Sequence, residues 1–227
     1  AASQNPPTMS ARPDRPRHRV SRVPDRARYD AETVHAVLDA ATVCHVGVVD
    51  DRDFPVVIPV LHARVGTTLY LHGSSASRLF RTAARKEVCV TATLIDGLVF
   101  ARAVFHNSVN YRSAVLFGRP ETVAEEAAKT EALRAFTEKL MPGRWDDSRA
   151  PTSQELKATA VLRMEIDEAS AKVRTGGPVD EPEDYELPHW AGTVPLREVA
   201  GEPIPDERML SAIDEPGYVA AYRRARS

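Results

Sequence analysis

Seven short segments rich in Val, Ile, Thr, Leu and Phe, parted by turn residues, constrain this chain more than any other feature. Residues 42–50, 54–65, 67–72, 87–96, 98–106, 112–119 and 158–168 read as strands, six or seven in all. Asp50-Asp51-Arg52-Asp53, Val65-Gly66-Thr67 and Asp96-Gly97 are too short for a crossover, so the strands they join run antiparallel. Several strands, including 86–95 and 98–105, are apolar on both alternating sets of residues. Both faces then need cover from core, helix or a second subunit. A closed barrel with outer helices and a dimer contact meets that need better than an open sheet.

The helical period appears in three places. Asp30 caps a helix over 31–41, where Val34, Val37, Leu38 and Ala41 form one stripe. A short helix is expected near 76–84 and a longer one near 122–140, with Ala128, Ala132, Leu133, Phe136 and Leu140 on its apolar face. Residues 141–157 read as a loop. The ends differ from this body. Residues 1–28 carry seven arginines against Asp14 and Asp25 in a chain of formal net charge −2, so the body is acidic. Residues 1–24, with five prolines and few large apolar groups, read as a disordered basic arm. Residues 25–176 form the barrel domain, and 177–227 an extended tail packing on the barrel or on a dimer partner.

Near-balanced charge argues against a nucleic-acid binder, and no apolar run reaches the ~18 residues of a membrane span. Cys44 and Cys89 lie in apolar β-branched runs and read as core thiols. With no apolar signal core in the first 30 residues, a cytoplasmic setting is expected. The seven histidines show no metal-ligand spacing, and the Gly-rich dinucleotide and P-loop patterns are absent. Three clusters remain. Leu69–Arg81 runs from a strand ending at His72 through small hydroxyl residues into a helix with arginines on its first turns. That order suits a phosphate, or is an ordinary Ser-capped helix. His106–Ser113 is a polar and aromatic run between apolar strands, either a ligand contact or a solvated loop. Trp190, in Leu187–Gly192 of the tail, either staples the tail or stacks on a flat ligand.

Taken together these clusters resemble the pyridoxamine-phosphate-oxidase-like family of flavin-binding split barrels, in the branch of flavin-nucleotide-binding proteins and nitroimidazole-resistance reductases. The resemblance covers about 28–196. It is carried by Asn110-Tyr111-Arg112-Ser113 and the following Ala114–Gly118, with Pro142–Trp145 and Ala169–Arg174 in support. It implies an all-β core with flanking helices: a six-stranded antiparallel Greek-key split barrel of the FMN-binding type, forming a homodimer with flavin between subunits. It also implies that Val57, Ile58 and Pro59 lie along the flavin, and that His72, Gly73, Ser77 and Arg78 hold its phosphate end. Tyr111, Arg112 and Ser113 match a further flavin-contacting stretch, His72 and Tyr111 would shape the reacting edge, and Trp190 would cover it.

The chain departs from the family pattern at Leu79, where relatives of the vitamin oxidase carry a second basic residue; Arg81 or Arg112 is available to substitute. The Arg-x-His of true pyridoxal-phosphate-forming oxidases is absent near the C-terminus. The implied function is an FMN-binding oxidoreductase passing electrons from a reduced nicotinamide to a small aromatic or nitro-type acceptor. The alternatives are a haem-binding split barrel with His72, His106 or His189 as ligand, a deazaflavin-dependent reductase, or a flavin carrier without turnover.

Overall fold

The computed structural model describes residues 16–210, 213–220 and 222. Strand β1 (Ala27–Arg28) leads into helix α1 (Ala31–Ala40), then β2 (Val43–Val49), β3 (Pro55–Val65) and β4 (Thr68–Ser74). Helix α2 (Arg78–Ala83) precedes the long strands β5 (Val88–Phe100) and β6 (Ser108–Gly118). After β7 (Glu121–Thr122), helices α3 (Glu126–Leu140) and α4 (Ser153–Ala158) lead to β8 (Thr159–Glu165) and β9 (Glu168–Arg174). The tail adds β10 (Gly192–Pro195) and a last turn, α5 (Gly217–Ala220).

All pairings are antiparallel, in the order β1-β9-β6-β5-β2-β3-β4-β8-β7, with β10 on β5. Strands β8 and β9 stand far apart in that order, yet only Ile166 and Asp167 separate them in the chain. So short a link forces the sheet to curl until those strands meet at one corner, without pairing. The result is a barrel split along a seam. Val46, Leu69, Leu71, Val90, Ala114 and Leu116 point inward, and Val34, Val37 and Leu38 of α1 pack into the same core. Helix α1 forms because Asp30 accepts a hydrogen bond from the Thr33 N–H (2.7 Å) and its apolar stripe meets that core. No described helix is long and apolar enough to cross a membrane.

Several expectations change, the closed barrel among them, since β8 and β9 do not pair and the sheet stays open. The Asp96-Gly97 pair does not turn the chain: β5 runs through it, paired to β6 on both sides of a bulge between Ile95 and Gly97. The bulge inverts the alternation, so Ile95, Leu98 and Phe100 are exposed while Gly97 and Val99 are buried. The hairpin turn lies at 101–107 instead, where Asn107 Oδ1 accepts from the Ala101 N–H (2.7 Å) and the Asp180 carboxylate from the Arg102 and Ala103 N–H groups. Residues 158–168 give β8 alone, and Glu168–Arg174 is a separate strand on β6. The 141–157 segment contains α4, started by a reciprocal Thr152–Glu155 capping box. Finally, residue 122 belongs to β7 and α3 begins at Glu126.

Of the basic arm, residues 1–15 lie outside the described part. Residues 16–24 rest on the body. Arg17 pairs with Glu87 and Glu168, and its guanidinium lies 5.3 Å from the centre of the Phe117 ring. Lys172 Nζ donates to the Arg22 carbonyl (2.9 Å). Arg17→Ala should therefore lower stability by about 1 kcal/mol, or about 2–4 °C in Tm. Calorimetry reads this directly, and an unchanged Tm would show that the contact contributes nothing.

Cys44 and Cys89 are free thiols. Cys44 is buried beside Val46, and burial pushes its pKa up to about 12, so it stays protonated.

Candidate functional site

The β2–β3 pairing spans all of Val43–Val49 and Pro55–Leu61, whereas β3 pairs with β4 only from His62 to Val65. Beyond the His62–Leu71 pair the two strands part. His72, Gly73 and Ser74 go on to pair with β8, and among the described residues no strand covers the second edge of Pro55–Leu61. Val57, Ile58 and Pro59 thus line one lip of an opening and are exposed on the strand. A free strand edge offers unpaired N–H and C=O groups in alternation.

The opposite lip comes from β4 and α2. Phe80 is buried against Gly73 and sets α2 close upon the strand. Ser77 takes the N-cap position, but its side chain makes no capping bond and remains free. Arg78 reaches back to the β2–β3 turn, with Nη1 3.8 Å from Asp50 Oδ2 and a side chain 60% exposed. Asp50 is held in place by the N–H groups of Arg52 (2.8 Å) and Phe54 (3.1 Å), which hold its carboxyl below the usual range. Arg78 therefore bridges the far end of the opening while staying accessible. Arg81, one turn on, is exposed.

His72 does not face this opening cleanly. Its ring packs edge-on to Phe136 of α3 with centroids 4.3 Å apart, and burial lowers its pKa, so it is neutral at pH 7. Tyr111 and Ser113 lie on β6, opposite Ile95 and Thr93. Strands β5 and β2 stand between them and β3, three strand spacings or roughly 14 Å along the sheet. Arg112 is not available to replace a second phosphate-binding base: it makes a two-pronged ion pair with Asp96 at the bulge, both bonds 2.9 Å. Asn110 is likewise engaged, its amide donating to the Gly176 carbonyl (3.0 Å) and its Oδ1 accepting from Arg174. Trp190 sits on Phe100 (5.7 Å, edge-on) and is 69% exposed. The structure sets Val57, Ile58 and Pro59 on β3 and Gly73, Ser77 and Arg78 on β4 and α2, the two sides that diverge beyond the His62–Leu71 pair with α3 packed on β3 and against His72, and sets Tyr111 and Ser113 three strands away from β3.

Two features escaped the sequence. A groove of about 740 Å³ lies between β2, β5 and the tail, lined by Val43, His45, Leu94, Ile95, Leu196 and Arg197. A cleft of about 500 Å³ follows the seam, where Phe117 and Gly118 face Arg163, Met164 and Glu168. Among the described residues no group of three or more His, Cys, Asp or Glu could hold a metal ion.

An antiparallel sheet curled into a barrel and left open at a seam, with strands β3 and β4 parting beyond the His62–Leu71 pair, defines a split barrel. The family model for pyridoxamine 5'-phosphate oxidase matches residues 30–173, and the chain belongs to that family of flavin-binding split barrels. The flavocytochrome Anf3 from Azotobacter vinelandii is similar, with 44% identity and a TM-score of 0.87 over 91% of this chain and 96% of that one. An FAD- and haem-binding protein from Mycobacterium smegmatis shows 36% identity and a TM-score of 0.83 over 87% and 97%. A putative 5-nitroimidazole antibiotic resistance protein from Bacteroides thetaiotaomicron shares the fold, at 22% identity and a TM-score of 0.56 over 65% and 86%. No curated protein matches the chain.

Proposed function

We propose that this chain is a cytoplasmic flavin-dependent electron-transfer protein, acting as a homodimer, that takes electrons from a reduced nicotinamide and passes them to a haem or a small acceptor. The carrying observation is the β3–β4 opening, with a free strand edge on one lip and Ser77 and Arg78 on the other. A flavin ring bears N–H and C=O groups along one edge, and its tail ends in a phosphate ester. Both match this donor set. When bound, the flavin supplies two-electron chemistry that can be released one electron at a time. Val57, Ile58 and Pro59 orient its edge, Arg78 neutralises its phosphate, and α2 fixes the distance between the two. FMN and FAD share these features; of the relatives named above, one is an FAD- and haem-binding protein and another a flavocytochrome, which supports FAD with haem as the second group.

The separation of the candidate residues supports the dimer reading. Tyr111 and Ser113 stand three strands from β3 of their own chain, and Trp190 rests on Phe100. The intervening sheet face exposes Val43, Val49, Val57 and Ile95, an apolar surface that a second copy would cover. Such a pairing brings those residues of one copy to the opening of the other.

Arg78→Ala tests the reading. Because Arg78 is largely exposed, its loss should weaken FMN and FAD by about tenfold, ~1.4 kcal/mol, and riboflavin much less, since riboflavin lacks the phosphate. Equal losses for all three by fluorescence titration would show that Arg78 acts through folding. No loss for any would remove the phosphate from this lip.

A further inference from the structure

Beyond the Ile95–Tyr111 pair, strands β5 and β6 leave the barrel. Pairing of β5 with β2 stops at Thr91 and pairing of β6 with β9 stops at Tyr111, so from Gly97 onward β5 lies between β6 and β10 alone. These three strands form an arm. On one face Leu98 stands between Val109 and Val194, and Trp190 reaches Phe100 (5.7 Å) over Gly192, where a Cβ would lie 3.0 Å from the indole. Leu98, Phe100, Val194 and Trp190 are exposed.

The arm ends in the 101–107 turn, which presents Val104 and Phe105 to solvent, 88% and 91% exposed. Its shape is fixed from behind. Asp180, its side chain fully buried, accepts from the Arg102 and Ala103 N–H groups and pairs with the Arg102 guanidinium, which lies 4.9 Å from the centre of the Tyr185 ring. A buried carboxylate thus holds two large apolar side chains out in water, and ordering a loop in advance lowers the cost of docking it.

The groove of about 740 Å³ opens on the same strand, at the foot of the arm. Val43, Leu94, Ile95 and Leu196 make its walls apolar, His45 adds a polar group, and the opposite charges of Arg197 and Glu198 in the lining offset one another. An uncharged apolar tip suits it. The tip of the same copy cannot fill it, because the strand from Ile95 to Phe100, roughly 15 Å, lies between the two. A second copy related by a two-fold axis can, since a surface that carries both a knob and its hole is self-complementary. The exposed side chains of arm and tip, taken with the groove walls, approach the ~800 Å² per partner of a stable interface. A membrane is the poorer occupant: Glu181, 3.8 Å from His106 of the turn, is followed by Glu183 and Glu186, all exposed and repelled by anionic headgroups.

We propose that the two copies of the homodimer exchange these arms, the Val104–Phe105 tip of each seating in the groove between β2, β5 and the tail of the other. The proposal rests on the homodimer reading above and names the residues that hold the two copies together.

The test is sedimentation of the full-length protein from nanomolar to micromolar concentration. Wild type should be a dimer at the upper end. Phe105→Asp should weaken the dimer at least tenfold, because two contacts are lost at once, and Val43→Lys in the groove should do the same. Combining both substitutions in one chain should recover part of the loss, since the aspartate of each copy then meets the lysine of the other; a defect in folding would not be recovered. Both positions are exposed, and unchanged far-UV circular dichroism should accompany each variant. Wild-type dimer affinity in Phe105→Asp, or no recovery in the combined chain, overturns the exchange and leaves the homodimer standing. A wild type that sediments as a monomer overturns both. Flotation of wild type with phosphatidylcholine vesicles, lost in Phe105→Asp, would give the tip to lipid and overturn the exchange as well.

Discussion

Lowering the pH from about 6.5 to about 4 should remove about 3 kcal/mol of folding stability through His62 alone. His62 sits on β3 at the root of the opening, 1% exposed, with Nε2 2.8 Å from the Leu38 carbonyl and 3.0 Å from Lys139 Nζ. Burial, reinforced by the Lys139 charge, pushes its pKa down from 6.5 to about 4. The unfolded chain therefore takes up the proton first. Stability is full above pH 6.5, declines as the pH falls through that window, and declines no further from this residue below pH 4. A tenfold loss of proton affinity is worth about 1.4 kcal/mol, and the fall from 6.5 to about 4 sets the size of the effect. His72, lowered by its own burial, adds in the same direction.

Denaturant midpoints measured between pH 4.5 and 7.5 check this for wild type and His62→Gln. Most carboxylates remain ionised across that range, and the variant cannot titrate at this position. Its stability should fall with a visibly smaller slope, and an identical slope in both proteins would sink the account. The same site explains why α3 matters to a helix far away in the sequence. Lys139 Nζ donates to the carbonyls of Leu38 and Ala41 (2.8 Å each), closing the C-terminal end of α1 with a charge of the favourable sign.

The elements that sequence revealed are those whose signal is local. Asp30 caps α1 and the stripe from Val34 to Ala41 repeats at helical spacing, so both the start and the buried face of that helix could be read. The Asp50–Asp53 and Val65–Thr67 turns were equally plain, since Asp53 and Gly66 take the positive φ (62° and 59°) that such turns demand. Asp96-Gly97 carries the same local signal and yet stays in the strand. Its carboxylate is taken by Arg112 on the next strand and its main chain by the tail, where Leu196 N–H donates to the Asp96 carbonyl (3.0 Å). Nothing within ten residues announces either partner. Strand β9 was hidden for another reason: Ala169, Ser170 and Ala171 have little strand preference, and only pairing to β6 across the core makes them one. His45 reads as one polar residue in an alternating strand until the tail, some 150 residues later, turns its surroundings into a groove. The candidate flavin-binding residues of β3 and α2 came from family resemblance, and the structure places them on the two sides that diverge beyond the His62–Leu71 pair.

Gly73→Ala is expected to cost about 1–3 kcal/mol of stability and to weaken phosphate-bearing flavins beyond what Arg78→Ala does. Gly73 needs no unusual backbone angle; what it needs is space. A Cβ built there would lie 2.4 Å from Cε2 of Phe80 and 2.9 Å from Cδ2 and Cζ, closer than side-chain carbons approach. Phe80 is 5% exposed and packed in the core, so its ring has no free direction in which to retreat. The strain is relieved by moving α2 outward as a unit, and Arg78 opens that helix. Displacing α2 would move the guanidinium relative to the β3 edge, so on the proposed reading one substitution would loosen both ends of the flavin contact at once. A smaller ring partner separates this account from general damage. Phe80→Leu in the Gly73→Ala background should return part of the affinity for FMN or FAD, although it removes core volume and adds nothing to stability. Should Gly73→Ala match wild type in both Tm and flavin affinity, the Phe80 contact would not be what sets α2 on the strand, and the lip formed by Ser77 and Arg78 would need another support.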